Sequence, residues 1–137
     1  MSASDETRTG GCACGALRYT ARGEHSPVTL CHCESCRRHA GAPAVAWVTY
    51  PVAAVRFEGA ALAVRRSSPG VSRGFCGGCG TPVTYAHADH PDWVDITVCS
   101  MDDPESLSPA DHTWTSDRLS WMESAGELPA HPRTRRG

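Results

Sequence analysis

Cys31-His32-Cys33-Glu34-Ser35-Cys36-Arg37-Arg38 puts three cysteines within six residues, spaced C-x-C-x-x-C, with two arginines directly after them. Four further cysteines form two more close pairs, Cys12 with Cys14 near the N-terminus and Cys76 with Cys79 in mid-chain. Two pairs make four thiolates, the full complement of a structural zinc, and the triplet is left to hold a second ion. The reading is therefore two zinc ions per chain. Cys12, Cys14, Cys76 and Cys79 close one site. Cys31, Cys33 and Cys36 hold the other, with one coordination position to spare. A closed site folds a chain, whereas an open one can do chemistry.

Local geometry agrees with this division. Val28-Thr29-Leu30 leads extended chain into Cys31, and alternate residues of a strand face one side, ~6.5–7 Å apart. Two sulfurs on one zinc must approach to about 3.8 Å, given Zn–S bonds of ~2.3 Å. Side-chain rotation closes that gap, and a helical turn over residues 34–40 brings Cys36 round to join. Gly41-Ala42-Pro43 ends the turn. Residues 44–50 then read as a strand centred on Trp47, which either walls the site or packs in the core. Gly10-Gly11-Cys12-Ala13-Cys14-Gly15 gives a flexible C-x-C pair, and Cys76-Gly77-Gly78-Cys79-Gly80 reads as a zinc knuckle. For the triplet both an open and a closed state stand: His39 or Cys99 would close it. His32 between two ligands must face the other way.

An open three-thiolate centre carries a net charge of −1, so it activates water less than a neutral three-histidine set and suits a soft fourth sulfur better. Arg37 and Arg38 are the candidate substrate contacts, able to grip a carboxylate of an incoming thiol or simply to offset the thiolate charge.

The rest of the chain sets bounds. A length of 137 residues means one domain, and thirteen glycines with ten prolines favour short strands over long helices. The formal net charge of −2 shows no general basic surface and argues against nucleic acid as a partner. Residues 1–9 are polar, read as a disordered leader, and carry no apolar signal core, while no later stretch could span a bilayer. A cytoplasmic location follows as the expectation, and there close cysteine pairs mean metal rather than disulfide. Strands are expected at 16–21, 71–75, 82–86 and 94–99, and a hairpin at 55–64 through Glu58-Gly59-Ala60. Beyond Asp102-Asp103-Pro104 the chain reads as irregular, tied down by Trp114 and Trp121, with His112 unassigned and residues 134–137 fraying.

The order of these motifs resembles the glutathione-dependent formaldehyde-activating (GFA) family, also met as the CENP-V/GFA domain. The residues that carry the likeness are the Cys12 and Cys31 motifs, Ser67-Ser68-Pro69-Gly70, Arg73-Gly74-Phe75-Cys76, Cys79-Gly80-Thr81-Pro82 and the Asp102 turn. His112-x-Trp114, Trp121 and Leu128-Pro129 are similar to its C-terminal pattern, so the likeness runs over residues 10–133. It implies a mainly-β, zinc-stabilised domain of short antiparallel sheets, the β-tent type also found in methionine sulfoxide reductase B. It implies the same zinc partition, with Cys31, Cys33 and Cys36 catalytic. It also implies a carbon–sulfur lyase activity that joins formaldehyde to glutathione as S-hydroxymethylglutathione. Two other readings stand beside it: a non-catalytic two-zinc binding module with a closed second site, and a thiol redox enzyme using Cys99. Oligomeric state is open.

Overall fold

The computed structural model describes residues 6–137, which form ten strands and one α-helix. In chain order these are β1 (Thr7–Gly11), β2 (Leu17–Arg22), β3 (Thr29–Cys31), α1 (Glu34–Ala40), β4 (Val45–Pro51) and β5 (Val55–Gly59). They continue with β6 (Leu62–Ser68), β7 (Val71–Cys76), β8 (Pro82–His87), β9 (Trp93–Thr97) and β10 (Asp111–Thr113). Short 3₁₀ turns fill much of the segment after β9. The architecture is mainly β, as the density of glycine and proline implies.

Two sheets result, an antiparallel one ordered β1-β2-β5 and a larger one ordered β10-β3-β4-β9-β8-β7-β6. The larger sheet is antiparallel except for β10, which runs parallel to β3. Alternation along β4 gives the sheet two different faces. Val48 and Tyr50 are buried in a cluster with Leu17, Tyr19 and Ala21 of the small sheet and Val83 and Ile96 of the large one. Each such aliphatic burial is worth about 1.5–3 kcal/mol, so this cluster is the core. Val45 and Trp47 belong instead to a second cluster with Cys31 and Cys36, on the opposite face. That second face carries the site.

Three expectations are corrected. Thr7, Arg8 and Thr9 are not leader but strand, paired in register from Thr7↔Arg22 to Gly11↔Arg18. β1 is a sheet edge, where ladder hydrogen bonds hold a polar segment that has no apolar pattern to reveal it. Residues 1–5 lie outside the described residues. The hairpin expected at 55–64 does not form, because β5 pairs with β2 and β6 with β7. The Ala60 amide donates to the Ala16 carbonyl at 2.8 Å, so the chain leaves one sheet and enters the other here. Finally, Trp114 and Trp121 are 64% and 56% exposed and do not tie the C-terminal segment to the core. The β10–β3 ladder does, with His32 Nε2 and His112 Nδ1 sharing a hydrogen at 2.9 Å.

Candidate functional site

The four-cysteine group forms where two tight turns meet. Cys12 and Cys14 lie in the β1–β2 turn, and Cys76 and Cys79 span the β7–β8 turn. The second turn closes through the Gly80 amide on the Cys76 carbonyl at 2.7 Å, with Gly80 at φ 83°, a conformation that glycine adopts without strain. The Ala13 amide donates to Thr81 Oγ1 at 3.0 Å and locks one turn against the other. The four Sγ atoms all lie within 4.8 Å of one another, with Cys12–Cys14 at 3.5 Å and Cys14–Cys76 at 3.8 Å. That spread and the all-sulfur donor set suit a tetrahedral zinc. Donors to sulfur favour thiolates: the Leu17 amide on Cys12 Sγ (3.3 Å) holds that thiol below its usual value. The Thr81 hydroxyl and amide bring Cys79 down to about 5.

The three-cysteine group is built locally. Cys31 ends β3, Cys33 is the N-cap of α1, and Cys36 lies in the helix itself. The Cys36 amide donates to Cys33 Sγ at 3.2 Å, so a candidate ligand also caps the helix. Gly41 in the left-handed conformation (φ 60°) stops α1. Cys31 and Cys36 Sγ are 3.8 Å apart, and all three sulfurs lie within 4.8 Å of one another, again a spacing that fits zinc. The contact with Cys36 holds the Cys31 thiol below its ordinary value, while that same contact pushes Cys36 up and burial pushes Cys33 up.

Among the described residues no fourth protein donor joins the trio. His39 Nδ1 donates instead to the Ser35 carbonyl at 2.7 Å. Cys99 is exposed on the turn at Val98–Ser100 and belongs to neither group. His32 is fully buried and directed at His112, away from its neighbours' sulfurs, and burial lowers its pKa.

The trio opens on a cavity of about 500 Å³. Its floor is a row of directly paired residues across four strands: Thr49 on β4, Asp95 on β9, Tyr85 on β8 and Arg73 on β7. Paired residues share a face of the sheet, so all four side chains meet the same space. Trp47 packs on Tyr85 with ring centroids 6.0 Å apart and adds an apolar wall. Exposed Trp114 lies at the rim with φ 55°, a left-handed strain of about 1–3 kcal/mol of the sort that functional sites hold.

Arg73 is the cation of this site. Only 9% exposed, it reaches Ser35 Oγ (3.1 Å), Ser67 Oγ (3.3 Å) and Cys36 Sγ (3.8 Å) and stacks 5.1 Å from the Tyr85 ring centre. Arg37 and Arg38, expected as substrate contacts, do not line the cavity. They border a separate hollow with Leu119 and Trp121. Each helical residue turns the side chain by about 100°, so the positions after Cys36 point off the cysteine face. Arg37 donates to the His32 carbonyl at 3.3 Å, and exposed Arg38 pairs with Glu34 at 3.2 Å. Arg73 was visible in sequence as part of the Arg73-Gly74-Phe75-Cys76 motif, and Asp95 as a charge inside an otherwise apolar strand. Neither signal says which face the side chain takes.

A family model described as glutathione-dependent formaldehyde-activating enzyme matches residues 7–117. A crystal structure of a Rhodobacter sphaeroides protein is similar with a TM-score of 0.62. It is 21% identical, and the match covers 77% of this chain and 99% of that one. At that identity the likeness concerns the fold alone. No curated protein matches.

Proposed function

Because the chain belongs to the glutathione-dependent formaldehyde-activating enzyme family, we propose that it is a zinc-dependent, carbon–sulfur lyase-like enzyme acting on a small thiol. Glutathione and formaldehyde are the proposed pair. Cys12, Cys14, Cys76 and Cys79 would hold a structural zinc, and Cys31, Cys33 and Cys36 a catalytic one. The observation that carries the reading is a three-sulfur group on a 500 Å³ cavity, with no fourth protein donor among the described residues. The closed binding module would need that donor.

Zinc at the trio would supply a soft Lewis acid able to keep a bound thiol as thiolate. The chain's own residues do the rest. Arg73 offsets the negative charge of three thiolates and, as a planar fork, is the group suited to a substrate carboxylate. Trp47 and Tyr85 make one side apolar and limit water around the sulfur. In the forward direction one C–S bond forms, the aldehyde C=O becomes C–OH, and the thiol proton ends on that oxygen. The reverse cleaves the same C–S bond, and nothing else is consumed. All eight cysteines are free thiols, which fits a reducing cytoplasm. Among the described residues no helix is long and apolar enough to cross a membrane.

The test is NMR exchange between formaldehyde, glutathione and their adduct. Wild-type protein should speed the exchange above the spontaneous rate, and Cys33→Ser should return it to that rate. Wild-type exchange no faster than a protein-free control would remove the formaldehyde assignment.

A further inference from the structure

Asp95 has an environment that the reaction above does not use. Its carboxylate is half-buried in the cavity floor and accepts one hydrogen bond, from Thr49 Oγ1 at 2.6 Å. No cation pairs with it among the described residues, and burial holds its carboxyl above the usual range. The other acidic residues on the lining, Glu34 and Asp117, are exposed to solvent. Glu34 pairs with Arg38, and Asp117 accepts the Glu34 amide at 3.2 Å. Arg73 lies at the Cys36 end of the same row. A partly buried carboxylate with no cation beside it costs free energy, and a cavity-facing one is completed by what enters the cavity.

We propose that Asp95 receives an ammonium group of the thiol substrate, so that the enzyme selects amino-bearing thiols. The inference rests on the reading that a thiol binds at Cys31, Cys33 and Cys36, and it names the part of that thiol which is recognised. Asp95 and Arg73 are two strands apart on one row. Strand spacing puts them about 10 Å apart, a span suited to a peptide-sized thiol rather than a two-carbon one. The sulfur lies at the Arg73 end beside Cys36 and the ammonium at the other, with the Thr49 hydroxyl fixing the carboxylate that meets it. The cavity's charges agree: Arg73 stands against Glu34, Asp95 and Asp117, which disfavours a purely anionic ligand. A purely structural Asp95, stitching β9 to β4 through Thr49, would be indifferent to the ligand's amine.

The experiment compares glutathione with glutaryl-cysteinyl-glycine, which is glutathione without its amino group, by calorimetric titration of zinc-loaded protein. Wild type should bind glutathione about tenfold more tightly than the amine-free analogue. Asp95→Asn should weaken glutathione by about the same factor, not weaken the analogue and bring the ratio near one. Equal wild-type affinities, or equal weakening of both thiols in the variant, would overturn the ammonium site while leaving the thiol enzyme in place. If neither thiol binds wild type, both readings fall. Equal wild-type affinities overturn the site even if Asp95→Asn does not fold, and Thr49→Val, which frees the carboxylate without removing its charge, then supplies the second variant and should reduce the glutathione preference.

Discussion

The two cysteine groups use the same ligand atom and differ in how the chain assembles them. Cys14 and Cys76 are 62 residues apart, and their group joins the turn of one sheet to the turn of the other. The trio comes from one six-residue stretch and borders the 500 Å³ cavity. Distant ligands turn binding energy into folding energy, because the site does not exist in the unfolded chain. Local ligands need little of the fold to assemble, so a metal held there would be free to serve the cavity. On the function proposed above, one group is structural and the other removable.

The hardest test of that contrast is a pair of substitutions. Cys76→Ser should abolish the cooperative thermal transition seen by circular dichroism, since a structural zinc contributes about 10–16 kcal/mol against a domain stability of about 5–15. Cys33→Ser should lose one metal and all thiol binding yet keep its fold. Serine is a good N-cap, so α1 stays capped and the Tm should fall by only about 5 °C. Similar unfolding in both variants would erase the distinction.

Acid should separate the groups next. A thiol held above its ordinary pKa keeps its proton to higher pH, and a metal must displace that proton to bind. Burial pushes Cys33 up, and the Cys31 contact does the same for Cys36. In the other group Cys12 and Cys79 are held down, although Cys14 is pushed up to about 11 by its three sulfur neighbours despite the Ala16 amide. As pH falls, the trio should therefore release zinc first, seen as two steps with a chromophoric chelator. Cys33→Ser should lack the step at higher pH. Reversed order would break the comparison.

Arg73 sharpens it further. Arg73→Ala should weaken zinc at the trio by about 10–100-fold, as loss of a supporting contact does, and leave the four-cysteine group unchanged. Arg73→Lys should recover part of the loss, because it keeps the charge and not the fork. The smallest effect belongs to Arg38→Ala. Its exposed pair with Glu34 is worth about 0.3–0.5 kcal/mol, and thiol affinity should stay within about twofold. A large loss there would return the substrate contact to α1.

The local spacing of the cysteines was readable from the sequence. C-x-C, C-x-x-C and the C-x-C-x-x-C run are short-range patterns, and a strand, a knuckle or one helical turn brings their sulfurs together. The helix at 34–40 and His32 facing away from the trio follow from equally local rules. The misplaced hairpin at 55–64 and the unrecognised β1 have the opposite origin. Both depend on which strand a segment pairs with, and polar edge segments carry little pattern to decide it.

Sequence by itself therefore determined the local sets, Cys12 with Cys14, Cys31 with Cys33 and Cys36, and Cys76 with Cys79, since thiolates a few residues apart need only local backbone geometry to meet, while the fold brought the two distant pairs together. Tertiary structure alone decided which charges face them. Arg73 and Asp95 enter the cavity because four strands pair in one register, and a slip of one residue would turn either side chain to the other face.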